Sequence, residues 1–400
     1  MKKAIKALIF IFVSFMAGVG FTALAYHGLW LNITTGLQAT TFWGFLLVLV
    51  LMFYLTLTIH ELAHLIAFRL QGVGIRALYL TIFVFHRTPK GWRFAIKPKL
   101  WVLFGGLVVP DLEPIEDETA YQRVVKRFAN ALIAAPVTTL AFAFLSLVLF
   151  AVVLMTSTQP VLIGYMLMAT MVTLFLSALY TWTFFLSNEM FYGDIVAFRK
   201  IKQDPVFQLI QINQYTMFSL HDHEKTETFL WQKIIGLLSQ TRLRHSLFHT
   251  MLVNTYLEGV IYQGRAIDKV VDGKINRLTI HPYLHKEQGL QTAYELVCYR
   301  YVKQEACKAM LLYQDIEKQV SRRLPEKLKT YLSKKTAHLI HLEDHSDFLA
   351  DHDNTYIGQY WIFDVLLDPY ALLEHMHQPL PYVECSSPVP YLYEQGEEDK

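Results

Sequence analysis

Charged side chains are scarce in this 400-residue chain, and two long stretches lack them entirely. Asp, Glu, Lys and Arg together make up 18% of the residues, whereas a soluble domain carries roughly a quarter. No charged residue occurs between Lys6 and Glu61 or between Arg127 and Glu189. Because one bilayer crossing takes about 20 apolar residues, each stretch is long enough for two. The composition therefore excludes a purely soluble protein.

Cysteine, glycine and proline are also few. The 19 Gly and 14 Pro exclude a collagenous chain, and 22 Tyr with 27 Phe exclude a disordered one. Three cysteines, without the spacing of a metal site, exclude a disulfide-rich class. Because their number is odd, Cys298, Cys307 and Cys385 are expected to be free thiols in a reducing compartment.

The two uncharged stretches predict four membrane-spanning helices. The polar segment 27–41 divides the first stretch, and the segment 156–160 divides the second. The predicted helices cover residues 7–26, 42–70, 128–155 and 161–186. The first helix follows three lysines and could instead be a secretory signal peptide, but no small-x-small cleavage site precedes a polar start.

The distribution of positive charge predicts the orientation. All Lys and Arg of residues 1–200 lie at the N-terminus, in the connection 69–127 or after Asp194, and none lies in the two short loops. Cytoplasmic segments carry the excess of positive charge in membrane proteins. We therefore expect a multi-pass protein of the cytoplasmic membrane with its N- and C-termini in the cytoplasm. Free thiols would agree with that location.

The connection between the second and third helices is expected to contain a β-hairpin, or a small sheet, over residues 77–106 on the cytoplasmic side. Residues 77–85 and 92–106 are rich in β-branched and aromatic side chains, with Pro89 and Gly91 at a turn between them. Two tryptophans beside Arg and Lys suit the membrane interface. A solvated basic loop that binds anionic lipid is the alternative.

The second predicted helix contains the motif HExxH, formed by His60, Glu61 and His64. Helix positions four apart share one face, so both imidazoles can bind one zinc ion, with Glu61 beside the water that zinc activates. A carboxylate there can act as general base and then protonate the leaving amine. Charged groups at the bilayer centre cost about 2.5–3.5 kcal/mol each. A functional role is therefore favoured over a merely polar helix end.

A catalytic zinc needs a third protein ligand. The motif lies about 27 Å along its helix from Phe42, which places it near the cytoplasmic boundary of the membrane. At the same depth, the end of the fourth helix offers Glu189 and Asp194. We choose Asp194, which follows Gly193 between apolar residues, and keep Glu189 as the alternative ligand.

Over residues 42–198 the sequence resembles the site-2 protease family of intramembrane zinc metalloproteases and the related zincin peptidases. The resemblance rests on HELAH in a membrane helix, a β-rich connection, AAPVTT at residues 134–139, and Asp194 at the fourth crossing. It implies a zinc metalloendopeptidase that cleaves membrane-spanning or membrane-associated peptides near the cytoplasmic face. The substrate would unwind and lie extended beside the hairpin.

The sequence departs from the family pattern in two places. The family's Asn-x-x-Pro pattern ending in Asp-Gly corresponds to residues 188–194, which lack the proline and end in the order Gly-Asp. Thr139 stands where the family has Asn. Asn188 is a candidate polar support for the reacting carbonyl.

The second half of the chain has ordinary soluble composition. Residues 199–378 predict a mainly helical cytoplasmic domain after a membrane core of residues 1–198, and residues 379–400 predict a mobile acidic tail. The run 338–353 mixes four His with acidic residues and is a weaker candidate for a second metal site than for a solvated helix end. Basic runs are short, so the expected partners are the bilayer and a membrane protein or peptide substrate, and no nucleic acid.

Two other functional classes compete with the protease. One is a non-catalytic membrane receptor or scaffold with a degenerate protease core, which signals through its cytoplasmic domain. The intact Glu61 argues against it, because a non-catalytic descendant has no need of the general base. The other is a transporter with an interfacial metal site, which four crossings and a large hydrophilic half do not favour.

Overall fold

A computed structural model describes residues 28–103, 105–187 and 192–385. The protein is mainly helical, and three of its helices are long and apolar enough to cross a membrane. The first four described helices are α1 (Leu29–Gln38), α2 (Phe42–Leu70), α3 (Glu118–Thr156) and α4 (Pro160–Thr183). The last three correspond to the second, third and fourth predicted crossings. The first predicted crossing, residues 7–26, lies outside the described residues.

Helix α1 occupies the segment that the sequence predicts as a polar loop. Its apolar residues recur at helical spacing, and Ile33 is buried among side chains of α3 and α4. The backbones of α1 and α4 approach closely at Gly36 and Gly164, where a Cβ on Gly36 would lie 2.9 Å from the Gly164 nitrogen. Two glycines therefore allow this short helix to pack against a membrane-spanning one.

Helix α3 begins at Glu118 rather than at residue 128. Asp117 caps it by accepting a hydrogen bond of 2.7 Å from the Ala120 N–H. The charged residues that the sequence predicts as a connection thus form the first turns of one long helix, and Pro136 lies inside it.

The connection between α2 and α3 forms a four-stranded antiparallel sheet with the strand order β3-β2-β1-β4. Its strands are β1 (Gly74–Leu80), β2 (Phe83–Thr88), β3 (Gly91–Ile96) and β4 (Gly106–Asp111). The single strand expected over residues 77–85 is two strands, because the chain turns at Thr81, whose φ is 51°. No Gly, Pro or Asn marks that turn. A 3₁₀ helix, Pro98–Leu103, separates β3 from β4.

A segment from the far end of the chain covers one face of this sheet. Residues 361–367, here called the strap, pack on Tyr79, Val84 and neighbouring side chains. Arg76 of β1 links the sheet to the second half of the chain. Its Nε donates to the Phe218 carbonyl at 2.8 Å, and its Nη2 donates to the Leu366 carbonyl at 3.1 Å. The second half of the chain is therefore attached to the sheet as well as to the membrane helices.

The second half consists of short and medium helices. They are α5 (Asp194–Gln203), α6 (Pro205–Thr216), α7 (Glu224–Gln240), α8 (Leu247–Ile261), α9 (Lys269–Ile275), α10 (Glu287–Val302), α11 (Ala306–Gln319), α12 (Glu326–Leu339), α13 (Ser346–Ala350) and α14 (Pro369–Glu374). One hydrophobic core extends from Leu57 on α2 through Phe128 on α3 to Leu257 on α8. The helical half thus packs directly on the ends of α2 and α3.

Two of the three cysteines are paired. A disulfide joins Cys307 to Cys385, and Cys298 is a buried free thiol. The expectation of three free thiols is therefore wrong. The two cysteines are 78 residues apart, so no local sequence pattern predicts their pairing. They meet because residues 380–385 run back over the helical half. Disulfides are rare in the cytosol, so the cysteines now count against a cytoplasmic location, and the charge distribution is the remaining argument for it.

Residues 379–385, the expected beginning of a mobile tail, are held in place. The Leu380 N–H donates to the Leu339 carbonyl at 3.0 Å, and the Val383 N–H donates to the Tyr301 hydroxyl oxygen at 2.9 Å. Leu380 and Val383 are buried. The rest of the predicted tail, residues 386–400, lies outside the described residues.

Candidate metal centre

Three predicted ligand side chains meet at the end of the membrane helices. His60 and His64 lie on one face of α2, and Asp194 is the first residue of α5. Asp194 Oδ2 lies 3.2 Å from His60 Nε2 and 3.5 Å from His64 Nε2. Ligand atoms at about 2.0–2.2 Å from one ion, in tetrahedral arrangement, lie roughly 3.3–3.6 Å apart. The observed spacing therefore fits a single zinc-sized ion.

The hydrogen bonds of the two imidazoles leave their ligand nitrogens available. His64 Nδ1 lies 2.8 Å from the Ala131 carbonyl, which can only accept, so this nitrogen carries the proton. His60 Nδ1 lies 2.9 Å from Thr139 Oγ1, whose own hydrogen is donated to the Ala135 carbonyl. Both Nε2 atoms therefore face Asp194. Two nitrogens and a carboxylate oxygen that converge in this way form a donor set for a cation.

Thr139 and Ala131 give helix α3 a role that the sequence analysis missed. Both orient an imidazole of α2 from the neighbouring helix. The only sequence signal for Thr139 was its departure from the family's Asn. The Thr139 hydroxyl fixes the tautomer and the ring orientation of His60, as hydrogen-bond partners of metal-binding histidines do.

Gly193 explains how Asp194 reaches the histidines. A Cβ on Gly193 would lie 2.6 Å from the carbonyl of Phe184 and closer still to the Thr183 carbonyl. Only glycine lets the chain pass the end of α4 at this distance, and the next residue then points its carboxylate at α2. The order Gly-Asp, a departure from the family pattern, thus has a steric reason.

The charge of the site is balanced within it. Burial alone would raise the pKa of the Asp194 carboxyl, but the imidazoles of His60 and His64, when each carries a second proton on Nε2 in place of a cation, hold it well below its usual range. Asp194 is therefore ionised at neutral pH, as a carboxylate ligand must be.

Glu61 lies beside this cluster but does not belong to it. It is buried, and among the described residues the side chains that are close enough together to hold a metal ion are those of His60, His64 and Asp194. The first residue of β4 packs directly on its carboxylate: a Cβ on Gly106 would lie 2.7 Å from Glu61 Oε1 and nearer to the atoms behind it. The sheet therefore fixes where this carboxylate can be.

Aromatic rings complete the surroundings of His60. Tyr180 and Phe184, one turn apart at the end of α4, both stack on its imidazole, with ring centroids 5.6 Å and 5.4 Å away and interplanar angles of 11° and 10°. Together with Thr139 they fix this ring.

The sequence also predicts an alternative third ligand, a support for the reacting carbonyl and a weaker second metal site. Glu189, the alternative ligand, and Asn188, the candidate carbonyl support, lie outside the described residues. The run 338–353 contributes no further metal-binding group within the part of the chain that the structure describes. His338 and His345 instead pair with the neighbouring carboxylates of Asp344 and Glu343.

The contact between Gly106 and Glu61 makes a testable prediction. In Gly106→Ala the new methyl group would displace the carboxylate, and a misplacement of about 1 Å can reduce a rate by 10²-fold. We expect any activity that depends on Glu61 to fall by about 10- to 100-fold while metal content stays unchanged. Gly236→Ala is the control, because nothing lies within 4 Å of a Cβ there. Equal rates for both variants would contradict the packing described above.

Comparison with known proteins adds one finding. The sequence profile of peptidase family M50 matches residues 48–332, which include the metal cluster, the sheet and most of the helical half. No curated protein and no solved structure matches the chain.

Proposed function

Because the chain belongs to peptidase family M50, the site-2 protease family, we propose that it is a zinc endopeptidase that hydrolyses membrane-spanning or membrane-associated peptides near the cytoplasmic face. The observation that carries this proposal is the meeting of His60, His64 and Asp194 beside Glu61 in an apolar helix. The family consists of metallopeptidases, and the donor set of two imidazoles and one carboxylate is one that catalytic zinc uses.

Each of the four residues has a role that its surroundings support. His60, His64 and Asp194 would hold the ion, which when bound makes a water molecule acidic near neutral pH. Glu61 would accept a proton from the attacking water and then pass it to the nitrogen of the leaving amine. Thr139 and the Ala131 carbonyl keep the two imidazoles in the tautomer that binds a cation.

The sheet offers a place for the substrate. Strand β4 lies at the end of the strand order and pairs with β1 alone among the described strands. Its first residue, Gly106, touches Glu61. An unwound peptide that adds to the edge of β4 near Gly106, where the strand is only half-buried, would bring its backbone carbonyls to the catalytic carboxylate. This arrangement requires a substrate whose helix can open next to the site.

The bilayer is the second proposed partner. Trp92, Phe94 and Ile96 alternate along β3 and expose 55–56% of their surface on one face of the sheet. This face is connected to α2, since Phe94 stacks on Phe83 with ring centroids 6.1 Å apart and Phe83 contacts Tyr54 of α2 with ring centroids 5.6 Å apart. Tryptophan and exposed apolar side chains at such a junction are typical of a membrane interface. The sheet would thus lie at the cytoplasmic boundary of the membrane.

The charge distribution supports the remaining part of the proposal. We place the protein in the cytoplasmic membrane. Because its positive residues lie on the sheet side of the membrane, both termini are then in the cytoplasm. Residues 1–198 then form the membrane-embedded protease core, and residues 199–378 form a cytoplasmic helical domain that packs on it.

The function is tested on the full-length protein, purified and reconstituted in lipid. We expect one zinc ion per chain and cleavage of a model membrane-spanning peptide. Treatment with 1,10-phenanthroline should stop cleavage, and zinc should restore it. A soluble peptide of helical propensity but without an apolar span is the matched substrate control. Cleavage that persists after the metal is removed, or a protein that binds zinc but cleaves no membrane peptide, would refute the proposal.

A further inference from the structure

A buried hydroxyl lies next to the metal cluster and has no hydrogen-bond partner. The ring of Tyr180 stacks on His60, and its hydroxyl oxygen is shielded from solvent without a donor or acceptor in reach among the described residues. The hydroxyl is also near enough to Glu61 for the two groups to interact electrostatically. Burying an unpaired hydroxyl is unfavourable, so such a group in a native fold calls for an explanation.

Packing does not explain it. Phe184 lies one helical turn further along and stacks on the same imidazole at almost the same distance and angle, without a hydroxyl. A phenylalanine at position 180 would therefore make the same ring contact and bury no polar atom. The hydroxyl therefore adds no packing contact that a phenylalanine at position 180 would lack.

The chemistry of the site lacks one group that Tyr180 can supply. Peptide hydrolysis places negative charge on the scissile carbonyl oxygen, and donors aimed at that oxygen lower the barrier. Two polar side chains at the cluster are already committed: Thr139 supports His60, and Glu61 carries the proton in the mechanism proposed above. Tyr180 stacks on the imidazole of His60, and its hydroxyl has a hydrogen to donate and no partner among the described residues.

We propose that the Tyr180 hydroxyl donates a hydrogen bond to the oxygen of the scissile carbonyl as that oxygen becomes negative. Tyr180 is then a catalytic residue for the reaction proposed above, on which this inference rests. In the step, the water oxygen bonds to the carbonyl carbon, the carbonyl π pair moves to its oxygen, and Glu61 takes the water proton. The C–N bond then breaks and Glu61 delivers that proton to nitrogen. Tyr180 keeps its own proton throughout.

The proposal is tested with Tyr180→Phe in the zinc-loaded, lipid-reconstituted protein. We expect kcat to fall by about 10²-fold, the usual effect of losing one such donor, with KM and zinc content unchanged. The affinity for a phosphinic analogue of the cleaved peptide should fall by a similar factor, since this analogue carries the tetrahedral, negatively charged group. Binding of the uncleaved peptide, measured with Glu61→Gln and Glu61→Gln/Tyr180→Phe, should be the same. The thermal unfolding midpoint should not fall, because the hydroxyl has no hydrogen-bond partner among the described residues.

Tyr165→Phe is the matched control on the same helix. Its hydroxyl contacts Thr41, 3.2 Å away and far from the cluster, so kcat should not change. Suppose that the wild type cleaves the membrane peptide and that Tyr180→Phe has the same kcat and the same inhibitor affinity. This result would overturn the role of Tyr180 and leave the protease function standing. The same holds if Asn188→Ala, and not Tyr180→Phe, weakens phosphinic peptide binding. A wild type that cleaves no membrane peptide would overturn both proposals.

Discussion

Glu61→Gln is expected to abolish peptide cleavage and to leave zinc bound. Glutamine has nearly the same shape as glutamate, so it should keep the contact with Gly106, but it cannot accept the proton of the attacking water. General-base catalysis contributes roughly 10²–10⁴-fold to a rate, and this carboxylate also protonates the leaving amine. We therefore expect cleavage to fall by more than about 10³-fold. Single-turnover cleavage and zinc content measured on the same preparation give both quantities.

The control for this variant is a carboxylate outside the site. Glu113 is largely exposed and lies 3.8 Å from Arg127, so Glu113→Gln should keep full activity. If Glu61→Gln cleaves at the wild-type rate, Glu61 is not the base and the mechanism fails. If it loses zinc together with activity, Glu61 belongs among the ligands and the assignment of roles is wrong.

Asp194→Ala is expected to remove zinc. Its Oδ2 is the one described carboxylate oxygen that faces both histidine nitrogens, and two imidazoles alone leave zinc short of the three protein ligands that catalytic sites use. The loss of affinity should exceed the roughly 10- to 100-fold that removal of an outer hydrogen bond costs. Competition with a chelator of known affinity measures it, and cleavage should disappear at limiting zinc.

Glu189→Ala is the matched variant, since Glu189 is the alternative third ligand. We expect it to keep zinc. Loss of zinc in Glu189→Ala, with zinc retained in Asp194→Ala, would transfer the third position to Glu189. A circular dichroism spectrum equal to that of the wild type would show that Asp194→Ala, at the first residue of α5, does not act by unfolding that part of the chain.

The sequence predicts the membrane helices well because a bilayer imposes length and composition on every span. The helix predicted over residues 42–70 is found as Phe42–Leu70, and the one over 161–186 as Pro160–Thr183. Local signals fail where the chain turns or begins a helix without them. Thr81 turns the chain in a left-handed conformation, which threonine rarely adopts, so the sequence does not predict this turn. The charged residues before 128 are compatible with a loop as well as with the start of α3.

Some features of the candidate site could likewise be predicted from the sequence, and others could not. The spacing of His60, Glu61 and His64 is local, so it is visible in the sequence, and the scarcity of acidic residues near the membrane narrows the third ligand to two candidates. The contacts of Gly106 with Glu61 and of Thr139 with His60 depend on how a strand and a second helix pack against α2. The disulfide likewise depends on the path of the last residues. No periodicity or motif encodes such long-range placement.

The disulfide has a topological consequence for the strap. Residues 361–367 lie between Cys307 and Cys385, inside a covalent ring that the bond closes. If the strap left the sheet, it would remain tethered on both sides, at a high effective concentration, and would rebind faster than a free peptide could compete. A protease that nicked the strap would likewise release no fragment while the bond is intact. The covering of the sheet that borders Glu61 is thus secured by connectivity as well as by packing.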